Sequence, residues 1–475
     1  MSLLIDKIKA GLVTLLENSL FDYMENDKEP GEGQRLAGYL RRDKEAVLAQ
    51  VAKYFDVCDP GPIATKDDAD KAARQFKAEG VQLLLVVSLF WSSDKPLLKL
   101  LRIMEGLPII YWCYTPDTRL PDHMRMPDLY RRSGAVGALQ NCAPLKKMGI
   151  KFAFVFGTPD TPELNKEMEE YARAFGTLVR MNGLRVGQLC GRFEEMTGTY
   201  VDEFRLLSKF GADMVHITPG TLRKTAEALT DDDIRARMEE LKRFYAVRGV
   251  SDNGLYHAVR VSMAVTRVAI DENLGVVAVQ DFNDEMHEYF KTRPQIWMPE
   301  LREHGKVVSM EADAICGLCM WISRQLGGTT PMYTEIFTFD QERNGLLFGH
   351  ASMMDTELAG DNPITIIPDA ELGMLNKTEG AWLHFAAKPG HVVVNSLFSD
   401  NDGYTATMFE GEAETTQLLD IHPNAFVTVK TPIRELYRRL MKHGMTQHFS
   451  LSYDDIAEKW RKFCEITDIP LEELE

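Results

Sequence analysis

The feature that most limits the fold is a set of strand-length segments that are apolar throughout. Residues 81–90 (VQLLLVVSLF) and 107–114 (LPIIYWCY) are the clearest examples, and helical patterns that end in glycine lie between such segments. Strands without a polar face must be covered on both sides, as happens in a parallel sheet whose strands are connected by helices. The sequence therefore predicts a doubly wound α/β domain, in which ligands bind beyond the carboxyl ends of the strands.

The same alternation of strand and helix continues through the middle of the chain and then stops. After about residue 328, short β-rich segments with turn signals such as Asn-Asp-Gly replace the helical periodicity. We predict two doubly wound parallel-sheet (Rossmann-like) domains followed by a C-terminal antiparallel β-barrel-like domain. The predicted domains are an N-terminal α/β domain at residues 1–177, a central α/β domain at 178–327 and a β-rich domain with terminal helices at 328–475.

Composition and charge restrict the classes of partner. The chain has 475 residues and a formal net charge of −17, which would repel a nucleic acid. No uninterrupted apolar run approaches the roughly 18 residues that a membrane helix needs. Seven scattered cysteines and an amino-terminal segment without the pattern of a signal peptide predict a reducing, cytoplasmic location. We expect small molecules or other proteins as partners, with no nucleic acid and no membrane.

The sequence lacks the common motifs for nucleotide cofactors and for serine nucleophiles. It contains no P-loop, no G-x-G-x-x-G after the first strand and no G-x-S-x-G. The C-x-x-C formed by Cys316 and Cys319 lies inside an apolar helical pattern with no second pair, so we interpret it as core packing. We therefore predict that no nucleotide cofactor binds.

Three isolated residues between positions 309 and 354 each have an ordinary structural interpretation. Glu311 fits an acid at the start of a helix, Glu335 a solvent-facing strand position and His350 a histidine at the end of a strand. Taken singly, none of them indicates a function. Their order and spacing are more informative.

The stretch MEADAICGLCMWISRQLGGTTPMYTEI, followed by LLFGH, resembles the central motif of the L-arabinose isomerase family, part of the L-arabinose/L-fucose isomerase superfamily. The family also has a final histidine near the carboxyl end, shortly after a glycine, and KHGMTQHFSLSYDD matches that pattern. The matching positions are Glu311, Gly327–Gly328–Thr329, Glu335, His350 and His448.

The resemblance implies that Glu311, Glu335, His350 and His448 bind one divalent cation. Two carboxylates and two imidazoles suit Mn²⁺, Co²⁺, Fe²⁺ or Zn²⁺, whereas an all-oxygen cage favours Mg²⁺ or Ca²⁺. We predict Mn²⁺ as the cofactor, with Co²⁺, Fe²⁺ or Mg²⁺ as alternatives. Two carboxylates also offset the charge of the ion, which leaves the site near neutral and able to accept a polyol.

The implied activity is aldose–ketose isomerisation of a pentose or of a deoxy or substituted hexose. Glu311 and Glu335 would carry the proton between adjacent carbons through an enediolate. A metal-dependent epimerase or aldolase could use the same site and remains an alternative. A non-catalytic sugar-binding protein would have no reason to keep the four residues.

The resemblance is incomplete in the shell that contacts the sugar. Val136 stands where the family has a histidine that reaches a neighbouring subunit's sugar site, and Gln447 replaces the first histidine of a pair. These departures favour an aldose other than L-arabinose at least as strongly as L-arabinose itself. We predict substrate contacts from Trp91, at the end of a buried strand, and from Gln447. The family also implies a trimer or hexamer with active sites between subunits.

Overall fold

The computed structural model describes residues 7–26, 31–374, 380–416 and 418–474. They divide into two compact units, one up to residue 179 and one from residue 180 onward. The predicted boundary at residue 327 stays a prediction. No helix in these described ranges combines the length and apolar character needed to cross a bilayer. Residues 1–6, part of the segment predicted not to be a signal peptide, lie outside the described residues.

The first unit is built on a parallel sheet whose strands alternate with helices. The strand order is β2-β1-β4-β5-β6, and the short β3 also pairs with β1. The elements are β1 (Lys9–Leu15), α1 (Asn18–Asn26), α2 (Glu32–Ala52), β2 (Asp56–Cys58), β3 (Pro62–Ile63), α3 (Lys66–Glu79), β4 (Leu83–Ser88), α4 (Lys95–Ile103), β5 (Ile109–Tyr114), α5 (Met126–Arg131), α6 (Gly134–Lys147), β6 (Ala153–Gly157) and α7 (Pro162–Met181).

The apolar segments occupy the middle of this sheet, as predicted. Every residue of β4 is buried, and β4 pairs in parallel with β1 on one side and β5 on the other. Thr65 caps the amino end of helix α3 and forms a capping box with Asp68. Gly80, in the left-handed conformation, caps its carboxyl end. The chain then enters β4 directly, which is the connection expected of a β-α-β unit.

The second unit begins with another parallel sheet, in the order β11-β10-β7-β8. Both predicted parallel sheets are thus confirmed. Asp281 follows the end of β10, and Glu311 follows the end of β11. The elements are β7 (Arg185–Leu189), α8 (Glu203–Phe210), β8 (Asp213–Ile217), α9 (Pro219–Glu227), α10 (Asp231–Phe244), β9 (Ala246–Val247), α11 (Asp252–Asp271), β10 (Val276–Val279), α12 (Asp284–Phe290), α13 (Pro299–Glu303), β11 (Val307–Ser309) and α14 (Ala314–Gly327).

The rest of the second unit is a largely antiparallel sheet. The path is β16-β19-β12-β13-β18-β17-β20, and β16 also pairs with β17. The β17–β20 pair is parallel, and β14, β15 and β9 form a separate three-stranded sheet. The barrel itself stays a prediction. The elements are β12 (Met332–Asp340), β13 (Gly345–Gly349), β14 (Thr365–Pro368), α15 (Ala370–Met374), β15 (Ala381–His384), β16 (Gly390–Ser399), β17 (Tyr404–Glu414), β18 (Asn424–Val429), α16 (Ile433–His443), β19 (His448–Ser452), α17 (Ala457–Thr467) and β20 (Leu471–Glu473).

Helix α14 is buried on nearly every side, because it packs against β10 and β11 and also against β16 and β19. A helix that is apolar all round must lie inside a protein. Cys316 and Cys319 are both buried there, in agreement with the core interpretation. The Ser323 hydroxyl lies 3.2 Å from the Ser450 hydroxyl and accepts a hydrogen bond from the Trp460 indole at the same distance, which fixes the helix against β19 and α17.

The Gly-Gly-Thr turn after α14 has a packing reason for its composition. A side chain at Gly327 would place its Cβ 2.2 Å from Asp454 Oδ2, and Gly328 has a φ of +119°. The backbone N–H and hydroxyl of Thr329 both donate to Asp454 Oδ2, at 2.9 and 2.7 Å. The turn therefore ties the start of β12 to the segment that follows β19.

Candidate metal centre

Glu311 does not open helix α14 as the sequence predicted. It precedes the N-cap residue, Asp313, and both Glu311 and Ala312 have φ of +56°. Two successive non-glycine residues in the left-handed region are unfavourable by about 1–2 kcal/mol each. Two contacts hold them there: the Glu311 N–H donates to Asp281 Oδ1 at 2.9 Å, and the Ala312 N–H donates to the Val279 carbonyl at 2.9 Å.

His448 is the first residue of β19 and is fully buried. Its Nδ1 lies 2.7 Å from Asp313 Oδ2, and its Nε2 lies 3.0 Å from Glu311 Oε2. An Nδ1–H that donates to a carboxylate leaves Nε2 as the free ligand atom, the usual arrangement of a metal-binding histidine. Burial opposes a charge on this ring, but the carboxylates of Asp313 and Glu311 outweigh it and raise the pKa of His448 to about 9 in the metal-free protein.

His350 follows β13 directly and is also buried. Its Nδ1 donates to the Ala351 carbonyl at 3.0 Å, so that Nε2 carries the lone pair. This Nε2 lies 4.0 Å from Glu311 Oε2. Burial, reinforced by the charge of His448, lowers the pKa of His350 to about 3, so the imidazole is neutral and able to ligate a cation.

Glu311, His350 and His448 each direct one ligand atom to a common point, and these atoms lie within 4.8 Å of one another. Glu311 Oε2 and His448 Nε2 are buried and face each other at 3.0 Å, and neither makes a further hydrogen bond within the described residues. A buried carboxylate oxygen that meets one imidazole still has unused acceptor capacity. A divalent cation would satisfy both atoms, so this carboxylate and these imidazoles fit a metal ion.

Glu335 lies on β12, directly opposite both His448 on β19 and Gly349 on β13. Its side chain is half-buried, and its carboxylate is not among the three converging ligand atoms. Burial raises the pKa of Glu335; His448 lowers it, whereas the charges of Glu311 and Glu371 add to the increase. Its place beside the cluster is therefore observed, while its role as a ligand and proton carrier stays a prediction.

Tyr333 belongs to the site although it was not among the residues predicted from the sequence. It lies on β12 two residues before Glu335, and its ring centroid is 4.7 Å from that of His350 and 4.9 Å from that of His448. Its hydroxyl donates to the Met310 carbonyl at 3.1 Å. The aromatic ring thus packs both imidazoles in place. An aromatic residue two positions from a strand acid was the available signal, because such residues share a face.

The predicted substrate contacts fall in both units. In the first, the Trp91 backbone N–H donates to the Ser133 hydroxyl at 2.8 Å, and its indole N–H donates to Gln140 at 2.7 Å. Val136 lies in the first turn of α6 with its side chain exposed. In the second unit, Gln447 is exposed and its Nε2 lies 3.1 Å from Met196 Sδ. Their roles toward a substrate stay predictions.

Comparison with known proteins identifies a related domain at the carboxyl end of the chain. Residues 329–470 match the family model of the L-arabinose isomerase C-terminal domain. This range contains three of the four predicted ligands, namely Glu335, His350 and His448. The match supports the predicted resemblance to the L-arabinose isomerase family.

Curated relatives extend the similarity over most of the chain. The sulfoquinovose isomerase of Alkalicoccus urumqiensis is 22% identical over 387 residues, covering 78% of this chain and 81% of the relative. The sulfoquinovose isomerases of Priestia aryabhattai and Priestia megaterium are each 23% identical over 385 residues, covering 81% of this chain and 83% of theirs. Among solved structures, a periplasmic solute-binding protein from Actinobacillus succinogenes with bound D-allose aligns with 60% of this chain and 82% of its own at 12% identity, and its TM-score of 0.13 does not indicate a shared fold.

Proposed function

We propose that this protein is a metal-dependent aldose–ketose isomerase. The observation that carries the proposal is the convergence of Glu311 Oε2, His350 Nε2 and His448 Nε2, which are held by three separate parts of the chain and lie within 4.8 Å of one another. An isomerase of this kind needs a cation beside a proton-carrying carboxylate. The similarity to sugar isomerases independently favours the same reaction class.

The donor set favours Mn²⁺, with Co²⁺, Fe²⁺ and Mg²⁺ as alternatives. Glu311, His350 and His448 would hold the ion, and Glu335 is the proposed fourth ligand. Mixed carboxylate and imidazole donors suit a first-row transition metal better than an oxygen-only cage would. When bound, the cation polarises the substrate carbonyl and stabilises the negative charge that develops on two adjacent sugar oxygens.

The two glutamates carry the proton in this proposal. One carboxylate takes the proton from the carbon next to the carbonyl, which moves the electron pair into an enediolate. The other returns a proton to the neighbouring carbon, and a hydroxyl proton passes between the two oxygens, so that the aldose becomes a ketose without any redox partner. Glu335 is half-buried on the strand that also carries Tyr333, whose ring orients the two histidines.

The proposed substrate is a pentose or a deoxy or 6-substituted hexose, with sulfoquinovose as the first candidate. Three curated relatives are named for that sugar, an aldohexose that has a sulfonate in place of the carbon-6 hydroxyl. The replacement of the family histidine by Val136 also disfavours L-arabinose. We propose Trp91 and Gln447 as substrate contacts, a homo-oligomer (trimer or hexamer) with sites between subunits, and a cytoplasmic location.

The test is isomerisation by metal-stripped and Mn²⁺-restored protein on a panel of aldopentoses, aldohexoses, 6-deoxyaldoses and sulfoquinovose. Ketose formation that returns with Mn²⁺ would support the proposal and identify the substrate. Product analysis separates the alternatives, because an epimerase yields another aldose and an aldolase yields fragments. Tight Mn²⁺ binding without any ketose would contradict the isomerase activity while leaving the metal site in place.

A further inference from the structure

The left-handed backbone of Glu311 requires a support, and a single carboxylate provides much of it. Asp281 follows β10 and is almost completely buried. Its Oδ1 accepts the hydrogen bond from the Glu311 N–H at 2.9 Å. Its Oδ2 faces Arg293 Nη1 at 3.2 Å. Because both oxygens are used, the Asp281 carboxylate cannot rotate without losing either Glu311 or Arg293.

Arg293 is itself held in one orientation. Its Nε and Nη2 form a fork on Asp369, at 2.8 and 3.1 Å, and Nη2 also pairs with Glu371. The guanidinium lies over the rings of Phe282 and Trp382, with 5.1 and 5.8 Å to their centroids. A planar group that makes a two-bond fork and stacks on aromatic rings has little freedom to move.

The buried position of this cluster is difficult to explain by stability alone. Arg293 and Asp281 are each 1% exposed, and burying such charges has a desolvation cost that often exceeds their attraction. Well-packed apolar side chains would serve a purely structural purpose at least as well. Outside the cluster, Asp281 Oδ1 accepts a hydrogen bond from the backbone of Glu311, a predicted metal ligand.

We propose that Arg293 is a positioning residue that, through Asp281, fixes Glu311 in the orientation required for binding the metal ion. The inference rests on the proposed function only in that Glu311 holds the cation. Arg293 touches neither substrate nor metal in this assignment. Its effect is to keep the Asp281 carboxylate in place, and with it the backbone of Glu311.

The test measures Mn²⁺ affinity, by electron paramagnetic resonance or calorimetry, in Arg293→Lys, Asp369→Asn and a matched control. Lysine keeps the positive charge but cannot form the two parallel hydrogen bonds that Arg293 makes with Asp369. The control is Arg324→Lys, because Arg324 is equally buried and its hydrogen bonds within the described residues go to Thr330 and the Arg302 carbonyl, away from Glu311. We expect Arg293→Lys to raise the Mn²⁺ dissociation constant by about 10- to 100-fold, the range typical of residues that orient metal ligands.

Asp369→Asn weakens the contact that holds Arg293 on the side away from Asp281, and it leaves Asp281 and Glu311 unchanged. We therefore expect a smaller increase in the Mn²⁺ dissociation constant than for Arg293→Lys. Asp369→Asn also keeps the proposal testable if Arg293→Lys fails to fold. Arg324→Lys should lower the thermal midpoint without changing Mn²⁺ affinity. If the Arg293 and Asp369 variants lose thermal stability but bind Mn²⁺ as wild type does, the positioning role is overturned while the isomerase proposal stands. A wild-type protein that binds no Mn²⁺ would overturn the metal centre and the positioning role together.

Discussion

Two parallel sheets in this chain present polar residues beyond the carboxyl ends of their strands, and among the described residues a candidate metal centre is found at one of them. After β4 in the first unit, both N–H groups of Trp91 have partners, in Ser133 and Gln140. After β11 in the second unit, Glu311 Oε2 is buried and faces His448 Nε2 at 3.0 Å, with no further hydrogen bond within the described residues. The topology is shared, so it does not explain the difference. The contrast lies in how fully the protein itself satisfies the polar atoms at the end of the strand.

The largest expected effect comes from removing ligands at the second sheet. Glu311→Gln and His448→Ala should each abolish Mn²⁺ binding and lower kcat by at least about 10³-fold, equivalent to ~4 kcal/mol of transition-state stabilisation. Metal titration and steady-state kinetics on the identified substrate check this. Either variant binding Mn²⁺ as tightly as wild type would return that residue to an ordinary structural role.

A smaller effect is expected beside the ligands. Gln447 immediately precedes His448 but is exposed. If its amide bonds to the sugar, Gln447→Ala should raise KM by about 2- to 10-fold, the value of one hydrogen bond, with Mn²⁺ affinity unchanged. Gln341→Ala, at another exposed glutamine of the same unit, is the matched control. Equal KM values in the two variants would remove Gln447 from the proposed substrate contacts.

The smallest effect is expected at the first sheet. Trp91→Phe removes the indole donor to Gln140 and should lower the free energy of unfolding by about 1 kcal/mol, the usual net value of a hydrogen bond, with no change in Mn²⁺ affinity. Chemical denaturation and metal titration measure the two quantities. If the ring stacks on the sugar, Trp91→Ala will raise KM while Trp91→Phe will not. An unchanged KM in both variants would make Trp91 a purely structural residue.

The features that could be predicted are those encoded in short stretches of the sequence. Wholly apolar segments required both faces of a sheet to be covered, and β4 and β10 are buried along their whole lengths. The resemblance to a family motif led to the predicted ligand set, and three of its members, Glu311, His350 and His448, lie together. Gly327 is explained by its close contact with Asp454, and Gly328 by its positive φ. Both glycines are part of the short Gly-Gly-Thr motif that was visible in the sequence.

The features that could not be predicted depend on contacts between distant parts of the chain. Glu311 looked like a helix-start acid because an acid before an apolar helical pattern usually is one. Its left-handed backbone depends on Asp281, and Asp281 in turn on Arg293 and Asp369, which are 76 positions apart in sequence. No periodicity links such positions. A buried ion cluster of this kind becomes visible only when the strands and loops are in place.

The position of β19 has a consequence for how the protein is made. This strand pairs between β12 and β16, and it contributes His448, whose partner Asp313 precedes it by 135 positions. At a synthesis rate of about 5–20 residues per second, the acids around Glu311 leave the ribosome roughly 7–27 seconds before their histidine. During that interval the nascent chain contains the carboxylates but not the imidazole that closes the cluster. We therefore expect the proposed cation to be captured late in biosynthesis.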